Sequence, residues 1–265
     1  MVSLSTDKAV YPVNALGITK ALMEKVVKSS SRKLSDGRTI LTLVRYGNIL
    51  FSHGSVIPLF MRLIREKKPL TVTESGMTRF LLLLKEAINL VGFALENGKQ
   101  GDIFVRNAPS CSVGDLAQAL KNILHSDSEI KTIGLQHGEK MHETLAFQEE
   151  LLRSEDMGGY LRLSMDNRGL NYNKYLSEGD KEFDKVEDYT SKNTTRLTLS
   201  EIEEMLLGQP EIIPPFILLA PKSWNCSRPQ FDLVVSRDGK MHSQKRIGQI
   251  GDRVDMCFQS SGSFV

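Results

Sequence analysis

Apolar residues recur along this chain in two alternating rhythms. After Pro12 and Asn14, the residues Leu16, Ala21, Leu22, Val26 and Val27 fall at helical spacing. That spacing predicts a helix capped by Asn14 with an apolar stripe along it. The run "TILTLVRYGNIL" (39–50) is continuously apolar and β-rich, as expected of a parallel strand buried on both faces. "VIPLFMRLIREKK" (56–68) reads as a helix, "PLTVT" (69–73) as a short strand, and "KEAINLVGFALENG" (85–98) as a helix closed by Gly98. The alternation continues with a strand at "GDIFVRN" (101–107) and a helix at "SVGDLAQALKNIL" (112–124) with Ser112 as its N-cap. A strand at "IKTIGL" (130–135) and a helix at "GEKMHETLAF" (138–147) complete it. Strands interleaved with helices imply an α/β protein with a largely parallel sheet.

The pattern fades after Arg153. Residues 153–191 are polar and rich in Tyr and Asp, with short strands at best. "TLSEIEEMLLG" (198–208) restores one amphipathic helix, with Ser200 and Glu203 at capping-box spacing. Residues 221–265 are rich in Ser, Gly and Arg and weakly periodic. These shifts predict three segments, 1–152, 153–208 and 209–265, the last a poorly ordered tail.

Composition mostly excludes. A formal net charge of +2 gives no electrostatic case for nucleic acid or an anionic membrane as partner. Cys111, Cys226 and Cys257 are odd in number and widely spaced, which fits reduced thiols in a cytoplasmic protein. The first residues lack the features of a secretory signal. No apolar run approaches the roughly 20 residues needed to span a bilayer. The five histidines show no metal-ligand spacing, so no metal site is expected.

The chemistry concentrates near the start, in "LSTDK". Parallel sheets bind ligands at the carboxyl ends of their strands. A strand ending there places Ser5, Thr6, Asp7 and Lys8 at that rim, with Lys20 directed back from the following helix. A hydroxyl, a carboxyl and two amines can do acid/base work on a sugar or carbonyl, and the same residues also suit an exposed turn with an ordinary Asp-Lys pair.

Further motifs follow in order: "STDKA", "YPVN", "GITK", "VRYGNI", "GSVIPLF", "MTRF", "GDIFV" and "HGEK". Together, over about residues 2–207, they resemble the sugar-nucleotide 4,6-dehydratases of the extended short-chain dehydrogenase/reductase superfamily. The nearest branch is the capsule-type UDP-N-acetylglucosamine 4,6-dehydratases, some of which also epimerise C5. The resemblance implies the C-terminal half of a Rossmann-like parallel sheet, a small substrate-binding α/β subdomain and an irregular C-terminal tail. It also implies NAD as cofactor, a UDP-sugar substrate and a homo-oligomer.

In such enzymes NAD takes hydride from sugar C4, a base removes the C5 proton, an acid helps the C6 hydroxyl leave, and hydride returns to C6. By the resemblance, Asp7 would be the acid at C6, Lys8 the base at C5, and Thr6 a hydrogen-bond partner of the C4 oxygen. Lys20 would bind the nicotinamide ribose, with Tyr46 also on the cofactor side. Asn48 would contact the substrate near its diphosphate, and Arg79 would pair with that diphosphate. Ser55, Val56 and Pro58 of "GSVIP" would line the uridine end, and Glu139 would accept from the ribose hydroxyls.

The sequence also departs from the resemblance. The G-x-G-x-x-G fingerprint is absent, and the half of the sheet that carries it would lie upstream. Leu16 stands where a proton-accepting tyrosine is usual, and His53 and Gln136 stand where basic residues are usual. A nucleotide-sugar 4-epimerase would need the same cofactor but no Asp-Lys pair, so "TDK" argues against it. A non-catalytic remnant that keeps UDP-sugar binding, or an interaction role, is the alternative outside enzymes.

Overall fold

In the computed structural model the described residues are 1–34, 39–165 and 186–212, with the backbone of two further strands at 231–235 and 241–245. In chain order, β1 (Val2–Leu4) leads through a 3-10 turn (Asp7–Ala9) to α1 (Ala15–Lys33), then β2 (Thr42–Arg45), β3 (Asn48–Ile49) and α2 (Val56–Arg65). Next come β4 (Leu70–Val72), β5 (Thr78–Leu82), α3 (Leu84–Asn97), β6 (Ile103–Arg106), β7 (Ser110–Ser112) and α4 (Val113–Ile123). Then follow β8 (Ile130–Thr132), β9 (Thr144–Ala146), α5 (Gln148–Leu151), β10 (Ser154–Asp156), β11 (Tyr160–Leu163), β12 (Tyr189–Thr190) and α6 (Leu199–Leu207). A separate compact unit, Leu219–Val265, holds the antiparallel pair β13 (Phe231–Val235) and β14 (Met241–Lys245). Of the segment expected to be a tail, residues 213–230, 236–240 and 246–265, and with them Cys226 and Cys257, lie outside the described residues.

The apolar run at 39–50 divides: β2 becomes the heart of an α/β sheet, and β3 pairs with β5 in another. β1, β2 and β6 lie parallel, and β11 and β10 extend them antiparallel, in the order β1-β2-β6-β11-β10. All four residues of β2 are buried, because helices cover both faces. Leu43 packs with Met23 and Val27 of α1, while Val44 packs with Leu90 and Ala94 of α3 on the other face. A second layer gathers α2, α4 and α6 around an apolar core that includes Phe60, Leu116, Leu120, Ile202 and Leu206. Two short sheets, β3-β5-β7 and β4-β8, border it.

Two of the expected element readings fail, each for a physical reason. Residues 138–147 form turns and then β9, not a helix, because β9 pairs antiparallel with β12 beyond the reach of local periodicity. Gly98 caps α3 as expected, with φ −73°. The close side chain of Thr42, which a Cβ would strike, is what requires glycine there. The capping box of α6 is Thr198 with Glu201, two residues earlier than Ser200 and Glu203, because Leu199 already has helical geometry. On α1 the apolar stripe is divided: Leu16, Leu22 and Val26 are 55–63 % exposed, Val27 packs on the sheet, and Gly17, Glu24 and Ser31 are buried.

Asn14 and Ser112 cap α1 and α4 as read, accepting from the amides of Gly17 and Asp115. No described helix is long and apolar enough to cross a membrane.

Candidate active site

The strand end at β1 is built by the sheet itself. Ser5 N–H donates to Val44 O, and Asp7 N–H to Tyr46 O, so β2 guides the chain two residues past the strand. Thr6 then caps the 3-10 turn that carries Asp7 and Lys8. Gly17 in the first turn of α1 lies so close to Lys8 O that no side chain fits between them. Gly47 plays the same part on the other side, where a Cβ would sit 2.7 Å from Phe80 Cβ and 3.2 Å from Asp7 Oδ2.

Asp7 is fully buried. Its Oδ1 accepts from Lys8 Nζ at 3.0 Å and Thr6 Oγ1 at 2.9 Å, while Oδ2 has no hydrogen-bond partner. Burial pushes the Asp7 carboxyl above its ordinary range; the Lys8 ammonium opposes that rise and the nearby Glu143 carboxylate adds to it. Lys8 Nζ also lies 3.8 Å from Glu143 Oε1. Glu143 is buried and faces Lys140 Nζ at 3.3 Å and Arg79 Nε at 3.9 Å. Arg79 donates to Thr78 O at 2.7 Å, and Lys140 donates to Val10 O at 2.7 Å. Thus Thr6, Asp7, Lys8 and Arg79 converge on one cluster, together with two residues that sequence reasoning missed, Lys140 and Glu143. The helix misread over 138–147 hid both.

The remaining expected residues make no described side-chain bond to the cluster; Tyr46 meets it through its backbone carbonyl, which accepts from Asp7 N–H. Lys20 Nζ donates to Leu4 O at 3.0 Å, which holds its amine beside the strand end. Tyr46 is half-buried against Leu43 and Val44, and burial raises its phenol. Asn48 Oδ1 and Ser55 Oγ are buried without a partner, as is Asp7 Oδ2. Ser55 caps α2 by position alone, with no side-chain bond to the helix, and Val56 and Pro58 form the first turn. Glu139 is exposed in a turn, and His53 and Gln136 are exposed as well. Cys111 is a packed thiol, pushed up to about 12 by burial and the nearby Asp115 carboxylate. Among the described residues no group of three His, Cys, Asp or Glu could hold a metal ion.

Ser5 turns away from the rim where it was expected and donates to Glu24. It joins the largest fully buried side chain, Arg45 of β2, which sits between two carboxylates. Arg45 donates to Glu24 at 3.0 and 2.7 Å and to Glu150 at 2.7 and 3.0 Å, with a further bond to Leu145 O. Burial alone would lower the guanidinium pKa, but the two carboxylates outweigh it and raise it. Burial likewise pushes Glu24 up, yet Arg45 and Ser5 outweigh that and hold it below the usual carboxylate range. A lone arginine inside the apolar run "TLVRYG" was the sequence signal for this network.

Comparison with known proteins adds three findings. A family described as polysaccharide biosynthesis protein matches residues 1–165, and one described as polysaccharide biosynthesis protein C-terminal matches residues 166–212. A curated UDP-glucose 4-epimerase of Rickettsia felis is 51% identical over 208 residues, covering 78% of this chain and 61% of the relative. The one from Rickettsia typhi is 51% identical over 207 residues, with the same coverage. The crystal structure of Pen from Bacillus thuringiensis superposes with a TM-score of 0.66 at 30% identity, covering 78% of this chain and 61% of that one. The chain therefore spans about three fifths of the length of these relatives.

Proposed function

The chain belongs to the polysaccharide biosynthesis protein family, and from that premise we propose that it serves the NAD-dependent 4,6-dehydration of a UDP-N-acetylhexosamine, in the cytoplasm, for capsule or other surface polysaccharide. The observation that carries this reading is the Asp7–Lys8 pair. Elimination of water across C5 and C6 needs an acid that holds its proton next to a base that lacks one. Full burial favours the protonated form of Asp7, and Lys8 stands 3.0 Å away at the open end of the strand. Lys8 takes the C5 proton, Asp7 protonates the departing C6 hydroxyl, and Thr6 is the hydroxyl within reach of the C4 oxygen. Leu16 offers no proton acceptor and is exposed.

NAD, when bound, supplies hydride transfer from C4 and its return to C6. The described residues fit one end of that cofactor. Lys20 keeps ammonium protons beyond its single bond to Leu4 O, which suits a ribose hydroxyl. Tyr46 lies near the same strand ends. On the substrate side, the unpartnered Asn48 Oδ1 and Ser55 Oγ are buried atoms that a ligand would satisfy. Arg79 suits the diphosphate, Val56 and Pro58 the uridine, and Glu139 the ribose hydroxyls. We expect the working form to be a homo-oligomer.

A second reading, UDP-sugar 4-epimerisation, draws on the name that the Rickettsia relatives carry. One assay separates the two. With NAD⁺ and UDP-N-acetylglucosamine, dehydration yields a 4-keto-6-deoxy sugar, and Asp7→Asn or Lys8→Ala abolishes it. Interconversion of UDP-glucose and UDP-galactose without loss of water, unaffected by Lys8→Ala, would overturn the dehydratase reading in favour of the epimerase.

A further inference from the structure

Glu143 is a puzzle as a purely structural residue. Burying a carboxylate costs several kcal/mol unless close bonds repay it. The buried acids on Arg45 have such bonds, at 2.7 to 3.0 Å. Glu143 is as deeply buried, yet its neighbours stand off: Lys8 at 3.8 Å, Arg79 at 3.9 Å and Lys140 at 3.3 Å. Its Oε2 accepts no hydrogen bond of good geometry. The backbone, by contrast, is firmly placed. Glu143 N–H donates to Ser191 Oγ at 2.9 Å, Ser191 N–H donates to Glu143 O at 2.8 Å, and Ser191 is itself locked to Thr78. The fold thus presents a rigidly mounted carboxylate to Lys8 beside Asp7, without saturating it.

We propose that Glu143 is the positioning residue for Lys8: it flanks the amine that Asp7 holds at 3.0 Å and offsets the positive charge that Lys8 acquires when it accepts a proton. This rests on the elimination roles proposed above. In that step the C5–H bond breaks and an N–H bond forms on Lys8. The electron pair left at C5 forms the C5–C6 double bond as the C6–O bond breaks, and the Asp7 proton joins the departing hydroxyl, which leaves as water. Lys8 ends as an ammonium and Asp7 as a carboxylate.

A fixed anion beside the base stabilises the ammonium as it forms, as the third member of a nucleophile–base–orienter set does. A second carboxylate so near Asp7 also disfavours Asp7 ionisation, so the acid keeps the proton it must give. Arg79 from β5 and Lys140 from the loop before β9 flank Glu143 at 3.9 and 3.3 Å. With Asp7 and Lys8 they are the charged groups that face it.

The test uses Glu143→Gln, which keeps the shape and removes the charge. Reductive ¹³C-methylation makes each lysine visible by NMR, and the Lys8 signal is assigned by its loss in Lys8→Arg. Lys8 is expected to titrate about one unit lower in Glu143→Gln than in the parent. Dehydration of UDP-N-acetylglucosamine, followed by solvent deuterium entering C5, is expected to slow about ten- to a hundredfold with KM unchanged and partial recovery in Glu143→Asp. A Lys8 titration that does not move, in a variant that melts like the parent, overturns the proposal. If Glu143→Gln does not fold, the same titration on Glu143→Asp decides, because its carboxylate retreats by one methylene; an unmoved Lys8 is again the overturning result. Dehydration that survives Lys8→Ala overturns the base role assigned to Lys8 instead, while a shifted Lys8 titration still confirms the contact with Glu143.

Discussion

Helices α1 and α4 start alike and bury opposite things. Each opens on a polar cap, Asn14 or Ser112, that accepts from a backbone amide three residues on. α4 then buries Val113, Leu116, Ala117, Ala119 and Leu120 in the apolar core it shares with α2 and α6. α1 buries Gly17, Glu24 and Ser31 and leaves Ile18, Leu22 and Val26 exposed. The difference comes from what each helix faces. α4 faces aliphatic side chains, so hydrophobic burial sets its orientation. α1 faces Arg45, and a buried guanidinium demands carboxylates more strongly than the helix's own leucines demand cover. The polar layer under α1 also lies just behind Asp7 and Lys8, linked to them through Ser5.

The sharpest way to break this contrast is to remove Arg45. Arg45→Met leaves Glu24 and Glu150 buried without their counter-charge, and urea unfolding is expected to show a loss of about 3–5 kcal/mol. Replacing all three residues together with apolar ones of similar size removes the unpaired charges. That triple variant is expected to regain most of the loss, whereas Leu116→Ala in α4 costs about 2–5 kcal/mol with no such rescue except refilling the cavity. A single Arg45→Met variant as stable as the parent would mean that α1 is held by packing after all.

The two buried acids on either side of Ser5 should respond to pH with opposite sign. Glu24 has a folded pKa below its ordinary 4.5, so its pairing stabilises the fold fully above that value and is lost as pH falls through the lower folded one. Asp7 has a folded pKa above its ordinary 3.8, so its stabilising, protonated form is complete below that value and is lost as pH rises through the higher folded one. At neutral pH, Glu24→Gln is therefore expected to destabilise, and Asp7→Asn to stabilise by about 0.5–2 kcal/mol while dehydration disappears. Stability curves for both variants against pH check the pair of signs.

The caps sharpen the comparison from the other end. Ser112→Ala removes two bonds, both local to Asp115, and is expected to cost about 1 kcal/mol. Asn14→Ala removes the equivalent capping bond and also the donation from Nδ2 to Gly138 O, which ties α1 to the loop carrying Lys140 and Glu143. It is expected to cost more than Ser112→Ala, and hydrogen exchange over 138–143 should quicken only in the Asn14 variant.

What could be read in the sequence follows the same division. Caps, strand runs and the apolar helices depend on neighbours a few residues away, so Asn14, Ser112, 39–50 and 112–124 were all legible. The Thr6-Asp7-Lys8 turn was legible because its three residues are adjacent. Glu143 was not, because it reaches Lys8 only through a strand pairing that local periodicity read as a helix. Nor was the inward face of α1, because Glu24 is drawn to an arginine 21 positions away and to a network closed by Glu150, 105 positions from that arginine. Local pattern decides where an element starts; the charge of the opposing surface decides which face it buries.

The smallest effect expected is on the exposed stripe of α1, and it tests the comparison most directly. If polar contacts hold α1, then Ile18, Leu22 and Val26 contribute little to folding, despite being the residues that helical periodicity would place in the core. Leu22→Gln and Val26→Gln keep or improve helix propensity and remove only exposed apolar surface. Each is expected to change the unfolding free energy by less than about 0.5 kcal/mol, where a comparable change at Leu120 in α4 would cost several times more. The measurement should be made at two protein concentrations. A loss that appears only at the higher one means that the stripe is covered by a second copy of the chain, since association stabilises by mass action. A loss at both means that α1 buries this face within the folded chain, and the contrast with α4 falls.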